Sequence, residues 1–373
     1  MIGVDFFVAG DHSIAGQVFS LTKGQAMKAK TIKSVLRHKH AAWLASIEDE
    51  AVRKLAEEGT IVTGGAIASM LLREKVNDYD LYFRDWKTVV AVASYYVQKF
   101  KLNPPAKFKG QDAVTIPIWL GDGKGGGIGF RDGRFLYKAY GSDREEVMRF
   151  DENGVPVQTD GRVKVIVKSS GVASETTPDT YQYFECNPDP ESTSAAEYVE
   201  ACAAALVTPP DEKEKPDQKK FRPVFLTSNA ITLSDGIQLV TRFYGEPDEI
   251  HENYDFAHCT CYWQSWDGKL ELRPKALEAL LARELRYVGS KYPLCSIIRT
   301  RKFVERGWTI NAGQFVKMAM QLNDLDLNDI NVLEEQLTGV DAAYFREVID
   351  ALKQKDEARV DRAYLLQLID RVF

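Results

Sequence analysis

The residues best suited to chemistry lie between Thr60 and Phe83, in the stretch TIVTGGAIASMLLREKVNDYDLYF. Asp78 and Asp80 stand two apart at the head of an apolar run, and side chains two apart on a strand share a face. Carboxylates held side by side repel unless a divalent cation lies between them. Mg²⁺ bound this way keeps waters and takes its remaining ligands from phosphates. Upstream, Gly64-Gly65 lets the backbone turn sharply and come close to a ligand, and the helix after it offers free N–H groups and a positive dipole end to an anion. Together these residues read as a metal clamp for phosphoryl or nucleotidyl transfer. The plainer reading is a tight turn followed by acids on a solvated strand end.

Positioning these groups takes a strand, a glycine turn, a helix and a second strand. Thr60 to Thr63 is β-branched, Ile67, Met70 and Leu71 recur at helical spacing, and Asp78-Tyr79-Asp80 opens a second apolar run. Farther on, VFLTSNAITL, a turn at Ser234-Asp235-Gly236 and IQLVTRFYG read as a hairpin. NYDFAHCTCYW carries Asp255 and sets Cys259 and Cys261 near His251 and His258, but cysteines with a single intervening residue lack the spacing of a zinc knuckle. Arg299, Arg301, Lys302 and Arg306 give a later helix a basic face, able to hold a triphosphate or an RNA backbone, or else solvated and ion-paired.

The stretch from Thr60 resembles the first catalytic motif of the nucleotidyltransferase superfamily, in the branch of bacterial poly(A) polymerases and class II CCA-adding enzymes. Gly64, Gly65, Leu71, Leu72, Asp78 and Asp80 fall on its pattern, with Ala68 and Ser69 in place of an Arg-Asp pair. Val240, Thr241 and Phe243 resemble a later hairpin of that branch, where Gln238 and Leu239 stand at the position of a third acid. Asp255-Phe256 is similar to a motif whose aspartate contacts the nucleotide sugar, with Asn253 and Tyr254 replacing two arginines. Val288, Gly289, Arg299, Lys302, Phe303, Gly307, Trp308, Thr309 and Ile310 match a further block, although Tyr292, Pro293 and Ser296 occupy its base-reading positions. The whole is most similar to poly(A) polymerase-like proteins of tailed phages.

The resemblance implies an α+β fold: a polymerase-β-like nucleotidyltransferase domain with an insertion, followed by an all-helical C-terminal region. Residues 1–58 are expected to form an N-terminal helical arm, 59–100 with 222–265 the catalytic core, 101–221 an insertion or lid with strands and a charged loop, and 266–373 the helical region. It implies that Asp78 and Asp80 are catalytic and bind Mg²⁺ or Mn²⁺. Gly64, Gly65, Ser69, Asp255, Arg299 and Lys302 would bind nucleotide.

At 373 residues, 45% of them hydrophobic, the chain has material for two or three domains with real cores. A net charge of −6 argues against wholesale coating of DNA, while a local basic cleft stays open. Five cysteines without a pairing pattern suit a reducing, cytoplasmic compartment, the host cytoplasm if the protein is phage-encoded. A signal peptide or spanning segment is not expected. The helical period from Lys28 to Glu58 carries a basic cluster, Arg37 to His40, read as a solvated face or else a set of phosphate contacts, and the apolar residues from Phe315 to the end read as packing helices.

The expected reaction is transfer of a nucleoside monophosphate from a nucleoside triphosphate to an acceptor hydroxyl, an RNA or tRNA-like 3′ end being first choice. Two alternatives are a protein or small-molecule acceptor, and a binding or structural module on a decayed transferase fold.

Overall fold

The computed structural model describes residues 27–103, 114–120, 127–138, 144–151, 156, 163–168, 220–226, 230–337, 352 and 360–372. Sequence period predicts a helix over 195–206, and the charged, proline-rich run from Thr208 reads as an exposed linker; both lie outside the described residues.

The N-terminal helical period is broken once, giving α1 (Ala29–Ala45) and α2 (Glu50–Gly59). Asp49 makes the break, its side chain accepting the Val52 N–H at 3.0 Å as an N-cap. Then follow β1 (Thr60–Thr63), buried at every position, α3 (Gly65–Leu72) and β2 (Tyr79–Phe83). Asp85 caps α4 (Trp86–Leu102) by accepting the Thr88 N–H at 2.9 Å.

A five-stranded sheet of order β6-β5-β4-β3-β7 comes next, from β3 (Val114–Leu120), β4 (Gly127–Arg131), β5 (Arg134–Lys138), β6 (Glu146–Val147) and β7 (Val163–Lys168). From the glycine-rich stretch GDGKGGGIGFRDGRF, residues 127–135 lie within the described chain and form the β4–β5 hairpin. Its two loop residues, Asp132 and Gly133, both take positive φ (52° and 71°), as the turn that matches strand twist requires. The chain then returns to the first sheet with β8 (Pro223–Leu226), β9 (Ala230–Leu233), β10 (Ile237–Tyr244), β11 (Tyr262–Gln264) and β12 (Leu270–Glu271). That sheet has the order β12-β11-β1-β2-β10-β9-β8 and is antiparallel except where β10 runs parallel to β2.

A parallel pair needs a crossover, and α4 begins it. This helix packs on β8 and β10 of the larger sheet and on β3, β4 and β7 of the smaller one. Its burial follows: Val89, Val90, Ala91, Val92 and Ala93 are consecutive and none is exposed, the pattern of a helix covered on every side.

A short helix α5 (Pro247–His251) links β10 to β11, and the C-terminal region is helical: α6 (Pro274–Ala282), α7 (Pro293–Glu305), α8 (Ala312–Asn323), α9 (Ile330–Leu337) and α10 (Arg362–Val372). The fold is therefore α+β, with mixed strands and a helical C-terminal region. One expectation of core packing fails here. Along α8 only Met318 is buried, while Phe315 and Met320 are 41% and 69% exposed. The helix rests against α7 along one stripe and leaves its other apolar residues to solvent. Among the described residues no helix is long and apolar enough to cross a membrane.

The α1–α4 contact offers a test of the core. Trp43 and Tyr96 are both buried, and the Trp43 Nε1–H donates to the Tyr96 hydroxyl at 2.8 Å. Tyr96→Phe strands that indole donor and is expected to lower the unfolding free energy by about 1–3 kcal/mol, read by urea denaturation.

Candidate functional site

The site is set by the pairing of β1 with β2, which places Thr63 opposite Asp80. The next residue, Gly64, has φ 88° and ψ −151°, a conformation essentially confined to glycine. It is also crowded. A Cβ there would lie 2.9 Å from Asp80 Oδ2 and 3.5 Å from the Tyr254 hydroxyl. The Gly64 N–H is tied to the Cys259 carbonyl at 3.1 Å, so the turn is pinned against the carboxyl. Gly65 differs: a Cβ there would meet nothing within 4 Å. The first glycine permits contact with the acid, and the second opens onto free space at the start of α3.

Asp78 lies one residue ahead of β2 rather than on the strand itself. Its segment is braced from behind by the β9–β10 turn, where the Tyr79 N–H donates to the Gly236 carbonyl at 2.9 Å. On the far side of β2, the parallel register sets Gln238 beside Asp80. An amide thus occupies the place where a third acid was sought.

Asp80 is half-buried. Loss of water around its carboxyl, reinforced by the charge of Asp78 and opposed by Lys302, pushes its pKa from 3.8 up to about 8. Tyr82 and Tyr254 stand beside it, hydrogen-bonded to each other with ring centroids 6.1 Å apart. Burial and the same acid hold both phenols above their ordinary range.

The structure thus gathers Gly64, Asp78, Asp80 and the charge of Lys302 with two tyrosines that were not anticipated as site residues. Asp255 and Arg299 meet each other, Arg299 Nη1 lying 2.8 Å from Asp255 Oδ2. Two residues expected to touch a ligand are therefore engaged in a mutual ion pair. Asp255 is further held by its own backbone, because its carbonyl accepts the Val288 N–H at 2.9 Å and the next residue, Phe256, bridges to Tyr287. Ser69 lies a turn down α3, where its carbonyl accepts the Glu74 N–H at 2.8 Å and helps to end the helix.

The histidines and cysteines take structural roles. Thr63 Oγ1 donates to the Cys261 carbonyl at 2.9 Å, and its single hydrogen is then spent. Its 2.8 Å contact with His251 Nε2 must run the other way, from an Nε2–H. That tautomer leaves Nδ1 as a bare acceptor, buried and without a partner among the described residues. Burial, with Arg273 nearby, lowers the His251 pKa to about 3, so the ring is neutral. It packs edge-on against Tyr254 at 4.9 Å and so steadies the phenol beside Asp80. His258 is enclosed by Trp308 at 4.3 Å and Phe303 at 4.9 Å, and Trp308, expected in a nucleotide-site motif, is a core residue. Cys259 belongs to a short 3-10 turn rather than to a strand.

The basic cluster on α1 is also more structural than its spelling suggests. His40 is buried against Trp43 and Trp263, while Lys39 reaches the Asp235 carbonyl between the rings of Tyr79 and Phe221.

Among the described residues no group of three or more His, Cys, Asp or Glu could hold a metal ion. The acid pair offers two carboxylates, a number with which Mg²⁺ is commonly bound when a ligand's phosphates and water complete its shell.

Comparison with known proteins assigns the chain elsewhere than its motifs suggest. A family model described as Gabija anti-defense 2 family protein (Gad2) matches residues 34–283. A curated protein named Gabija anti-defense 2, from Bacillus phage SPbetaL7, is 21% identical over 116 residues, which is 31% of this chain and 29% of that protein. The match therefore spans less than a third of that relative's length. No solved structure matches.

These findings overturn the assignment to poly(A) polymerases and CCA-adding enzymes, since no nucleotidyltransferase family matches. With it goes the expected transfer of a nucleoside monophosphate from a nucleoside triphosphate to an RNA or other acceptor, and the comparisons lend no support to the decayed-transferase alternative. The physical reason is that a glycine turn facing two acids is a local geometry, and a local geometry does not carry a reaction with it.

Two substitutions test the geometry. Gly64→Ala is expected to cost about 1–3 kcal/mol from backbone strain, with the clash against Asp80 added. Gly65→Ala should leave the urea midpoint nearly unchanged, and equal losses at both positions would refute the distinction. For Asp80 the sign follows from a folded pKa above the unfolded one. Its contribution to stability is fully present below 3.8 and is lost as pH rises through about 8. In chelator-treated protein, Asp80→Asn should therefore raise the melting temperature by a margin that widens over that interval and levels off above it.

Proposed function

The chain belongs to the Gabija anti-defense 2 family, and from that premise we propose that it counters the Gabija defence system inside an infected bacterial cell. The observation that carries this reading is the family match over residues 34–283, which takes in β1, β2, the Gly64 turn, both acids and Asp255. A phage source and a host-cytoplasm location are part of the same proposal.

We place the working surface at the acid pair. A desolvated carboxyl beside a second acid is costly to keep charged, and a divalent cation would remove that cost. The cation is Mg²⁺ or Mn²⁺, held by Asp78 and Asp80; bound there it would neutralise the pair and draw in the oxygens of an anionic ligand. Lys302 extends the same attraction. A phosphate-bearing molecule, a nucleoside triphosphate or an RNA end, has the chemistry that this arrangement would accept. A polymerase-β-like topology for the larger sheet and α3 is a proposal about fold, supported by the strand–turn–helix–strand geometry, and brings no transfer reaction with it. Enzymatic action is proposed on the strained turn and the raised Asp80 pKa, features that a passive surface does not need.

A second reading is blockade by binding, favoured by one observation. Val288, Val316 and Met320 are 52%, 56% and 69% exposed and line a groove of about 830 Å³ with Tyr287 and Lys317. Exposed apolar groups gathered in one place commonly mark protein contacts.

Plating separates the two. Co-expressed in a Gabija-carrying strain, the chain should restore plaques of a Gabija-sensitive phage by orders of magnitude. Asp78→Ala and Asp80→Ala, checked as folded by thermal melting, should abolish that rescue while Val316→Asp/Met320→Asp keeps it. The opposite pattern favours blockade, and absence of rescue by the unaltered chain removes the proposal.

A further inference from the structure

Lys39 lies on α1, far in sequence from both acids, yet it sits directly behind them. Its ammonium donates to the Asp235 carbonyl and lies 5.2 Å from the ring centre of Tyr79 and 5.4 Å from that of Phe221. Asp235 and Gly236 form the β9–β10 turn with positive φ (65° and 64°). The turn is anchored on its outer side, because Asp235 Oδ2 accepts the Phe221 N–H at 3.2 Å and Ser234 N–H donates to the Arg222 carbonyl at 2.8 Å. On its inner side it abuts the acid segment. A Cβ on Gly236 would stand 3.0 Å from the Asn77 carbonyl oxygen and 3.9 Å from Asp78 Cα, and the Gly236 carbonyl takes the Tyr79 N–H.

We propose that Lys39 is a positioning residue for Asp78: it clamps the 234–236 turn against residues 77–79 and so fixes the spacing of the acid pair. The inference rests on the reading that this pair holds a divalent cation. Three features make Lys39 specific to the task. Its contact is with a backbone carbonyl, so it locates the turn itself rather than a mobile side chain. One of the two rings it lies over belongs to Tyr79, the residue between the acids. Desolvation lowers its pKa, in keeping with an ammonium partly withdrawn from water between the two rings. The charged groups facing it are Asp235 and Lys220, and their effects oppose each other. Residues that orient a ligating carboxylate from behind commonly change metal affinity by about 10–100-fold when removed.

The test titrates the full chain with Mn²⁺, following loss of the free-ion electron paramagnetic resonance signal, for wild type, Lys39→Met, Lys39→Arg and Lys39→Gln. Lys39→Met is expected to bind Mn²⁺ at least tenfold more weakly. Lys39→Arg, which keeps a cationic donor, should recover most of the loss. A melting temperature lowered by Lys39→Met with Mn²⁺ affinity unchanged would reduce Lys39 to an ordinary packing contact and overturn the inference. Should the methionine variant not fold, Lys39→Gln decides, since its amide can still donate to the turn: affinity equal to that of Lys39→Arg supports the clamp, and affinity no better than that of Asp78→Ala refutes it. If wild type takes up no Mn²⁺, the cation reading fails by itself, and plating on Gabija-carrying cells then judges Lys39. Loss with Met and recovery with Arg, both folded, supports positioning, whereas wild-type plating with Met overturns it.

Discussion

A carboxyl group pressed against a backbone turn is the constraint around which this molecule is arranged. The Asp80 backbone is fixed from both sides, by antiparallel pairing to Thr63 and parallel pairing to Gln238, and this sets the carboxyl beside the Gly64 turn. Loss of water and the neighbouring charge of Asp78 make its ionised form unfavourable and push its pKa from 3.8 up to about 8. Such costs persist where they serve a site.

The rest of the fold supplies rigidity to meet that cost. Helix α4 is buried against both sheets, and its start follows β2 directly, so the strand bearing Asp80 leads straight into the most enclosed element of the core. On the other flank, Ala68 of α3 packs in one cluster with Phe256, Leu280, Tyr287, Trp308 and Met318. That cluster joins the helix after the glycine turn to the C-terminal helices. It is why Lys302, more than two hundred residues downstream, acts on Asp80 at all.

Much of this was legible in the sequence, because local signals dominate where they are strong. The strand–turn–helix–strand order from Thr60, the Ser234-Asp235-Gly236 turn and the alternating Val163, Val165 and Val167 strand each follow from period and turn chemistry. What was not legible depends on contacts distant in sequence. Nothing near Lys39 announces that Asp235 lies under it, and His251 gains its role only when Thr63 is set beside it. Asp255 and Arg299 were separately plausible ligand contacts, and only the folded chain reveals that they pair with each other. Family membership was obscured for a related reason: the letters that drew the nucleotidyltransferase likeness are those that a glycine turn facing acids demands, whatever the protein does with them.

The two tyrosines bear on what the site can select. An arginine at position 254 would place a permanent cation near Asp80 and pull its pKa down, leaving a charged acid already compensated by the protein. Tyr254 does neither. It and Tyr82 exclude water without contributing positive charge, and their phenols are themselves held neutral by the same burial. Compensation must then come from a proton, from the charge of Lys302 or from a cation that arrives with a ligand. A bare anion meets two acids and is repelled, while a metal-bridged anion satisfies both charges at once. On the proposed reading, a phenol rather than a guanidinium at this position would make the affinity of the acid pair for phosphate conditional on a metal.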